Sequence, residues 1–132
     1  MKVFVDSCFI IALVLKRDSL HKRAVNLTER GILDNECYIS DLIFNEVITI
    51  VGNKENNEIA KTTYYYMKDN FKIINEFDIP NFKDKTMETY LKYNTKLSFT
   101  DSAILEIIKE YNLDKLVSFD EYYKKTDVDL II

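Results

Sequence analysis

Short apolar runs alternate with longer amphipathic stretches along the whole chain. Residues 2–6 (KVFVD) read as a short buried strand. Residues 8–15 (CFIIALVL) are apolar all round and too long for a strand alone, which predicts a buried helix. Asp18 or Ser19 can cap the next helix, in which Leu20, Ala24 and Leu27 share one face and which Gly31 ends. Residues 36–40 (ECYIS) predict a second strand. Ser40 or Asp41 then caps a helix carrying Leu42, Ile43, Val47, Ile50 and Val51, with Gly52-Asn53 as its stop. A helix over 54–70, a third strand over 71–75 and a helix from Pro80 follow, the last with Met87, Tyr90 and Leu91 inward. Thr100 caps a helix over 101–111 with Ala103, Ile104, Ile107 and Ile108 inward. Strands over 115–118 and 128–132 complete the pattern.

Apolar strands alternating with helices predict an α/β fold whose parallel sheet is covered on both faces. One domain over residues 1–132 accommodates a substantial core. Two glycines and one proline are too few for a turn-rich all-β protein, and 47% hydrophobic residues argue against disorder. Ligands in parallel α/β folds bind beyond the carboxyl ends of the strands.

Four acidic residues fall at such places. Asp6 and Asp120 end apolar strands, and Glu46 and Asp101 sit in early turns of helices that open on the same rim. An ionised carboxylate in an apolar run is costly unless a cation or hydrogen-bond donors compensate it. Several carboxylates together call for a divalent metal ion, so the residues point to a metal-dependent enzyme. Singly, Asp101 reads equally as a first-turn acid favoured by the helix dipole, and Asp120 as a cap. Asp6, between an apolar strand and an apolar helix, is the hardest to explain that way.

The net charge is −4, and without these four residues acids and bases balance at 18 each. The chain is therefore not one that holds nucleic acid mainly by overall charge. Cys8 and Cys37 lie in apolar segments and read as free thiols, and His21, the single histidine, reads as structural. No apolar run is long enough to span a membrane, and no signal-peptide pattern opens the sequence, so the expected location is the cytoplasm.

In this order the motifs resemble the PIN-domain nucleases, and among them the small VapC-type toxins. The carrying segments are Val3-Phe4-Val5-Asp6-Ser7, Ser40 to Val47 with Glu46, Leu97 to Ala103 with Asp101, and Leu116 to Tyr123 with Asp120; His21 and Ala24 match a further H-x-x-A. The resemblance implies a three-layer α/β/α sandwich with a mainly parallel sheet of four to five short strands. It also implies a Mg²⁺- or Mn²⁺-dependent ribonuclease, the toxin of a toxin–antitoxin pair, with RNA as substrate and a small antitoxin as partner. Asp6, Asp101 and Asp120 would bind metal, and Glu46 would act through water or orient the nucleophile. Ser7, Thr100 and Ser118 would hold the carboxylate rotamers through their hydroxyls. The sequence departs from the family where a tyrosine, Tyr122 or Tyr123, stands for the usual phenylalanine of the fourth motif. Glu121 beside Asp120 leaves open which of the two faces the site.

Two other readings stand beside this one: a PIN-like RNA-processing or quality-control nuclease without antitoxin, and a catalytically silent α/β binding domain. A receiver domain fits poorly, because Ser7 follows Asp6 where an acidic pair belongs; a haloacid-dehalogenase-type phosphatase needs D-x-D, and Cys8 fills the third place. Lys16-Arg17, Lys22-Arg23, Lys83, Lys85, Lys92 and Lys96 are either a solvated surface or phosphate contacts. The Tyr64–Tyr66 run, too wide for one buried face, is with Ile59 and Met67 either a homodimer patch or packing against the sheet.

Overall fold

The computed structural model describes residues 1–93 and 96–132. Five parallel strands form one sheet: β1 (Lys2–Val5), β2 (Glu36–Ser40), β3 (Lys72–Ile74), β4 (Lys115–Val117) and β5 (Leu130–Ile131), in the order β3-β2-β1-β4-β5. Between them run α1 (Ser7–Val14), α2 (His21–Glu29), α3 (Asp41–Lys54), α4 (Asn57–Asn70), α5 (Phe82–Tyr93) and α6 (Phe99–Glu110). The chain steps outward from β1 to β3 and then returns to β4 on the other side of β1. Right-handed crossovers place α1–α4 on one face and α5–α6 on the other, the expected α/β/α sandwich. The helix contacts divide the same way: α1 packs on α2 and α3, α3 on α4, and α5 on α6.

Val3, Phe4 and Val5 of β1 and Leu116 and Val117 of β4 are fully buried. Helices on both faces explain why these strands are continuously apolar rather than alternating. Among the described residues no helix is long and apolar enough to cross a membrane.

Three local expectations are overturned. First, α2 begins at His21 rather than after an Asp18 or Ser19 cap. The Asp18 carboxylate instead accepts the Leu20 N–H at 2.8 Å and closes a turn before the helix. Second, α3 continues through Gly52 to Lys54, because the preferred boundary lies at Asn56, whose side chain caps α4 by accepting the Ile59 N–H at 2.8 Å. Third, α5 is rotated from its hydrophobic reading: Met87, Tyr90 and Leu91 are exposed, while Phe82 and Thr86 are buried. Two threonines can face inward because their hydroxyls are satisfied there. Thr86 donates to the Phe82 carbonyl at 2.8 Å, and Thr89 bonds to Glu106 of α6.

The tyrosine run is only partly buried. Met67 is buried, Tyr66 packs edge-on to Phe71, and Tyr64, Tyr65 and Ile59 remain exposed. Both cysteines are free. His21 Nδ1 lies 2.7 Å from the Ala12 carbonyl and ties α2 to α1.

The position of α3 depends on an acid that sequence patterning does not single out. Glu76, 1% exposed, accepts the Asp41 N–H at 3.1 Å on one oxygen and the Leu42 N–H at 3.3 Å on the other. Ser40 accepts the Ile43 N–H at 3.3 Å. The first three N–H groups of α3 are thus satisfied by buried side chains, which anchors the helix that carries Glu46.

Candidate active site

The strand order reverses between β1 and β4, and a cleft of about 590 Å³ opens beyond their carboxyl ends. Asp6, Glu46, Asp101 and Asp120 all line it, together with Ser7, Cys8, Ser98, Thr100 and Phe119. Glu121 does not: it is exposed and ion-paired to Lys124 at 3.3 Å, so Asp120 is the acid that faces the cleft.

Asp6 forms the floor. Its backbone N–H donates to the Val117 carbonyl at 2.9 Å, extending the pairing of β1 with β4. Its carboxylate is the N-cap of α1, accepting the Ser7 N–H at 2.8 Å. The Ser118 hydroxyl donates to the other oxygen at 2.8 Å and accepts the Asp120 N–H at 3.1 Å, so one side chain links the ends of β1 and β4. Burial pushes the Asp6 carboxyl up to about 6 from its ordinary 3.8; the charges of Asp101 and Glu46 push the same way, and the bonds from Ser118 and Ser7 oppose them.

Asp101 belongs to a capping box at the start of α6. Its backbone N–H donates to Ser98 Oγ at 3.0 Å, and its Oδ2 accepts the Ser98 N–H at 3.1 Å. Ser98, not Thr100, therefore caps this helix, since the chain turns two residues earlier than the hydrophobic run suggests. Thr100 lies exposed on the wall, and none of the hydrogen bonds to Asp101 comes from its hydroxyl. Ser7 likewise holds Asp6 by its backbone N–H rather than by its hydroxyl.

The remaining Asp101 oxygen accepts the Tyr123 hydroxyl at 3.0 Å. Tyr123 is fully buried, and burial, then the charges of Asp6 and Asp101, drive its pKa far up, so it stays a donor. Composition cannot reveal this contact; its one signal was the tyrosine standing where the resemblance wants phenylalanine. Asp120 accepts the Tyr122 N–H at 2.9 Å. Glu46 is exposed and, among the described residues, has no hydrogen-bond or ion-pair partner; it acts on Asp6 through charge.

Cys8 also reaches the cleft, with Sγ 3.8 Å from Asp6 Oδ2 and accepting the Phe119 N–H at 3.4 Å. Burial, then the Asp6 charge, push its thiol up to about 11 from 9.0, so it is a neutral neighbour.

A model of the PIN domain family matches residues 3–129. The chain belongs to the PIN domain family. No curated protein matches it in sequence. Among solved structures, Mycobacterium tuberculosis VapC20, a Sarcin-Ricin loop cleaving toxin, is similar with a TM-score of 0.80 at 15% identity, over 96% of this chain and 95% of that one. VapBC2 from Rickettsia felis, bound to a DNA fragment from its promoter, gives a TM-score of 0.73 at 14% identity over 99% and 98% of the two chains. A toxin–antitoxin complex from Klebsiella pneumoniae gives 0.72 at 16% identity over 98% and 96%. At these identities the likeness shows the PIN fold, and the chemistry has to be argued from the cleft.

The four carboxylates that line the cleft are hard oxygen donors. Among the described residues no group of three His, Cys, Asp or Glu side chains stands close enough to hold an ion unaided. Mg²⁺ commonly binds through one or two carboxylates and keeps several waters. Four acids spaced around an open cleft, the most buried of them destabilised by the charge of two others, fit such an ion.

Proposed function

We propose that the chain is a Mg²⁺- or Mn²⁺-dependent endoribonuclease, acting in the cytoplasm as the toxin of a toxin–antitoxin pair. The observation that carries this reading is the meeting of Asp6, Glu46, Asp101 and Asp120 around one cleft at the sheet's switch point. Asp6 and Asp101 would hold the ion directly, with retained waters filling its other positions and Asp120 completing the outer side of the site. Glu46, without a hydrogen-bond or ion-pair partner among the described residues, would bind through water or orient the nucleophile. A bound divalent ion supplies the charge that acidifies a water and stabilises the leaving oxygen. Ser118 holds Asp6, and Ser98 and Tyr123 hold Asp101, so two carboxylates meet the substrate with fixed rotamers.

RNA as substrate is favoured by VapC20, described as a Sarcin-Ricin loop cleaving toxin, and an antitoxin partner by the Klebsiella pneumoniae complex. Exposed Ile59, Tyr64 and Tyr65 on α4 are the surface proposed for a homodimer.

RNA cleavage by the purified protein with Mg²⁺, Mn²⁺ or excess chelator, beside Asp6→Asn and Asp101→Asn, tests the reading. Metal-dependent cleavage that leaves 5′-phosphate ends and disappears in both variants is expected. Equal cleavage by wild type and variants would sink it.

A further inference from the structure

We infer that Arg23 is a substrate-binding residue: held over Phe119, its guanidinium takes an RNA phosphate at the rim of the acidic cleft. This rests on the ribonuclease reading above. Four carboxylates around a cleft repel a polyanion, and a site that admits one needs cationic groups at its edge. The chain's three arginines, Arg17, Arg23 and Arg30, all fall within fourteen consecutive positions that include α2. Residues 16–30 carry these three with Lys16 and Lys22, against only Asp18 and Glu29. Among the described residues none of these five cations is in an ion pair, whereas the ion pairs present all use lysines elsewhere: Lys72, Lys85, Lys92, Lys115 and Lys124.

Among the five cations of that segment Arg23 is the one seen over a ring that lines the cleft. Its guanidinium carbon lies 4.9 Å from the centroid of the Phe119 ring, and Phe119 lines the cleft beside Asp120. Both sides of the contact are anchored. Phe119 is held by its N–H bond to Cys8 and by its ring lying 5.7 Å from that of Phe9. α2 is held by His21 on the Ala12 carbonyl and by fully buried Ala24. A guanidinium over a ring is satisfied on its face, while its N–H donors, arranged around its edge, remain for another acceptor. The planar fork of arginine matches a phosphate with two parallel bonds, which lysine does not. An unneutralised cation fixed over a ring that lines the acidic cleft is best explained by the phosphate itself; an acidic protein segment is the competing occupant.

The test measures binding of fluorescein-labelled single-stranded RNA to the Asp101→Asn protein in Mg²⁺ by anisotropy over a series of salt concentrations. Arg23→Gln, Arg23→Lys and, on exposed α4, Lys68→Gln are added in turn. Arg23→Gln is expected to raise Kd about fivefold and to reduce the log–log salt slope by about 0.7, one phosphate contact on a single strand. Arg23→Lys should keep the slope with a smaller loss of affinity, and Lys68→Gln should match the parent. If Arg23→Gln misfolds by circular dichroism, Arg23→Lys decides, since a residue with no phosphate contact leaves Kd unmoved. RNA binding by the parent with Kd and slope unchanged in the Arg23 variants overturns this inference and leaves the ribonuclease reading standing. A parent that binds no RNA overturns both. Unchanged RNA binding with weakened binding of a polyglutamate peptide assigns the rim to an acidic protein partner and overturns the RNA assignment.

Discussion

Asp6 and Glu76 are both buried carboxylates just beyond the end of a strand, β1 for one and β3 for the other, at 7% and 1% exposure. Their partners differ. Glu76 gives both oxygens to backbone N–H groups in the first turn of α3, where the helix dipole also favours a negative charge. It stands at the outer strand of the sheet and is a structural acid. Asp6 receives one backbone N–H and one hydroxyl, lies at the switch point, lines the cleft and feels the charges of Asp101 and Glu46. Burial marks neither role. What separates a structural acid from a reactive one is whether the protein itself supplies the compensating charge.

The largest expected effect tests that distinction directly. Asp6→Asn should lower RNA cleavage more than about 100-fold, beyond the 10–100-fold common for groups one step removed from a metal. Glu76→Gln should leave cleavage per folded molecule unchanged. Single-turnover cleavage at matched folded concentration measures both, and loss of chemistry in Glu76→Gln would erase the contrast.

Next in size, the two substitutions should move stability in opposite directions. In chelator at pH 7, Glu76→Gln should destabilise by about 1–3 kcal/mol through its weakened bonds to α3. Asp6→Asn should stabilise, because folding raises the Asp6 pKa from 3.8 to about 6. Between those values the folded protein binds more protons than the unfolded chain. The Asp6 contribution is therefore fully present below pH 3.8 and is lost as pH rises to about 6, a change on the order of 3 kcal/mol. Urea unfolding from pH 4 to 7 should show this decline in the wild type relative to Asp6→Asn. A wild type that instead gains stability over Asp6→Asn in this window would mean that Asp6 is compensated like Glu76.

A smaller loss, about tenfold in cleavage, is expected for Ser118→Ala, which removes the hydroxyl joining Asp6 to the Asp120 backbone. Cleavage at the wild-type rate would show that strand pairing alone positions Asp6. Smallest of all, Tyr123→Phe should cost about 1 kcal/mol and weaken Mg²⁺ binding by less than about tenfold, since volume is kept and one bond to Asp101 is lost. Calorimetric titration with Mg²⁺ checks it; tighter binding would mean that the hydroxyl competes with the ion.

Much of this protein could be read from its residues alone. The five strands and their alternation with helices were legible because both faces of the sheet are covered, which makes β1 and β4 continuously apolar. The four acids were legible because a carboxylate that ends such a run has no local compensation. Tertiary structure decided the rest, wherever a polar group is satisfied by a residue distant in the chain. Thr89 turns inward on α5 because Glu106 of α6 accepts its bond, so Met87, Tyr90 and Leu91 point out. Glu76 is structural because α3 begins against it, 34 and 35 positions away in sequence. Asp120 rather than Glu121 faces the cleft, Tyr123 reaches Asp101, and Arg23 lies over Phe119, all set by how the chain after β4 packs against α1, α2 and α6. Hydrophobic periodicity reports which side chains leave water. It does not report which donor meets which acceptor, because that depends on long-range geometry that no local pattern encodes.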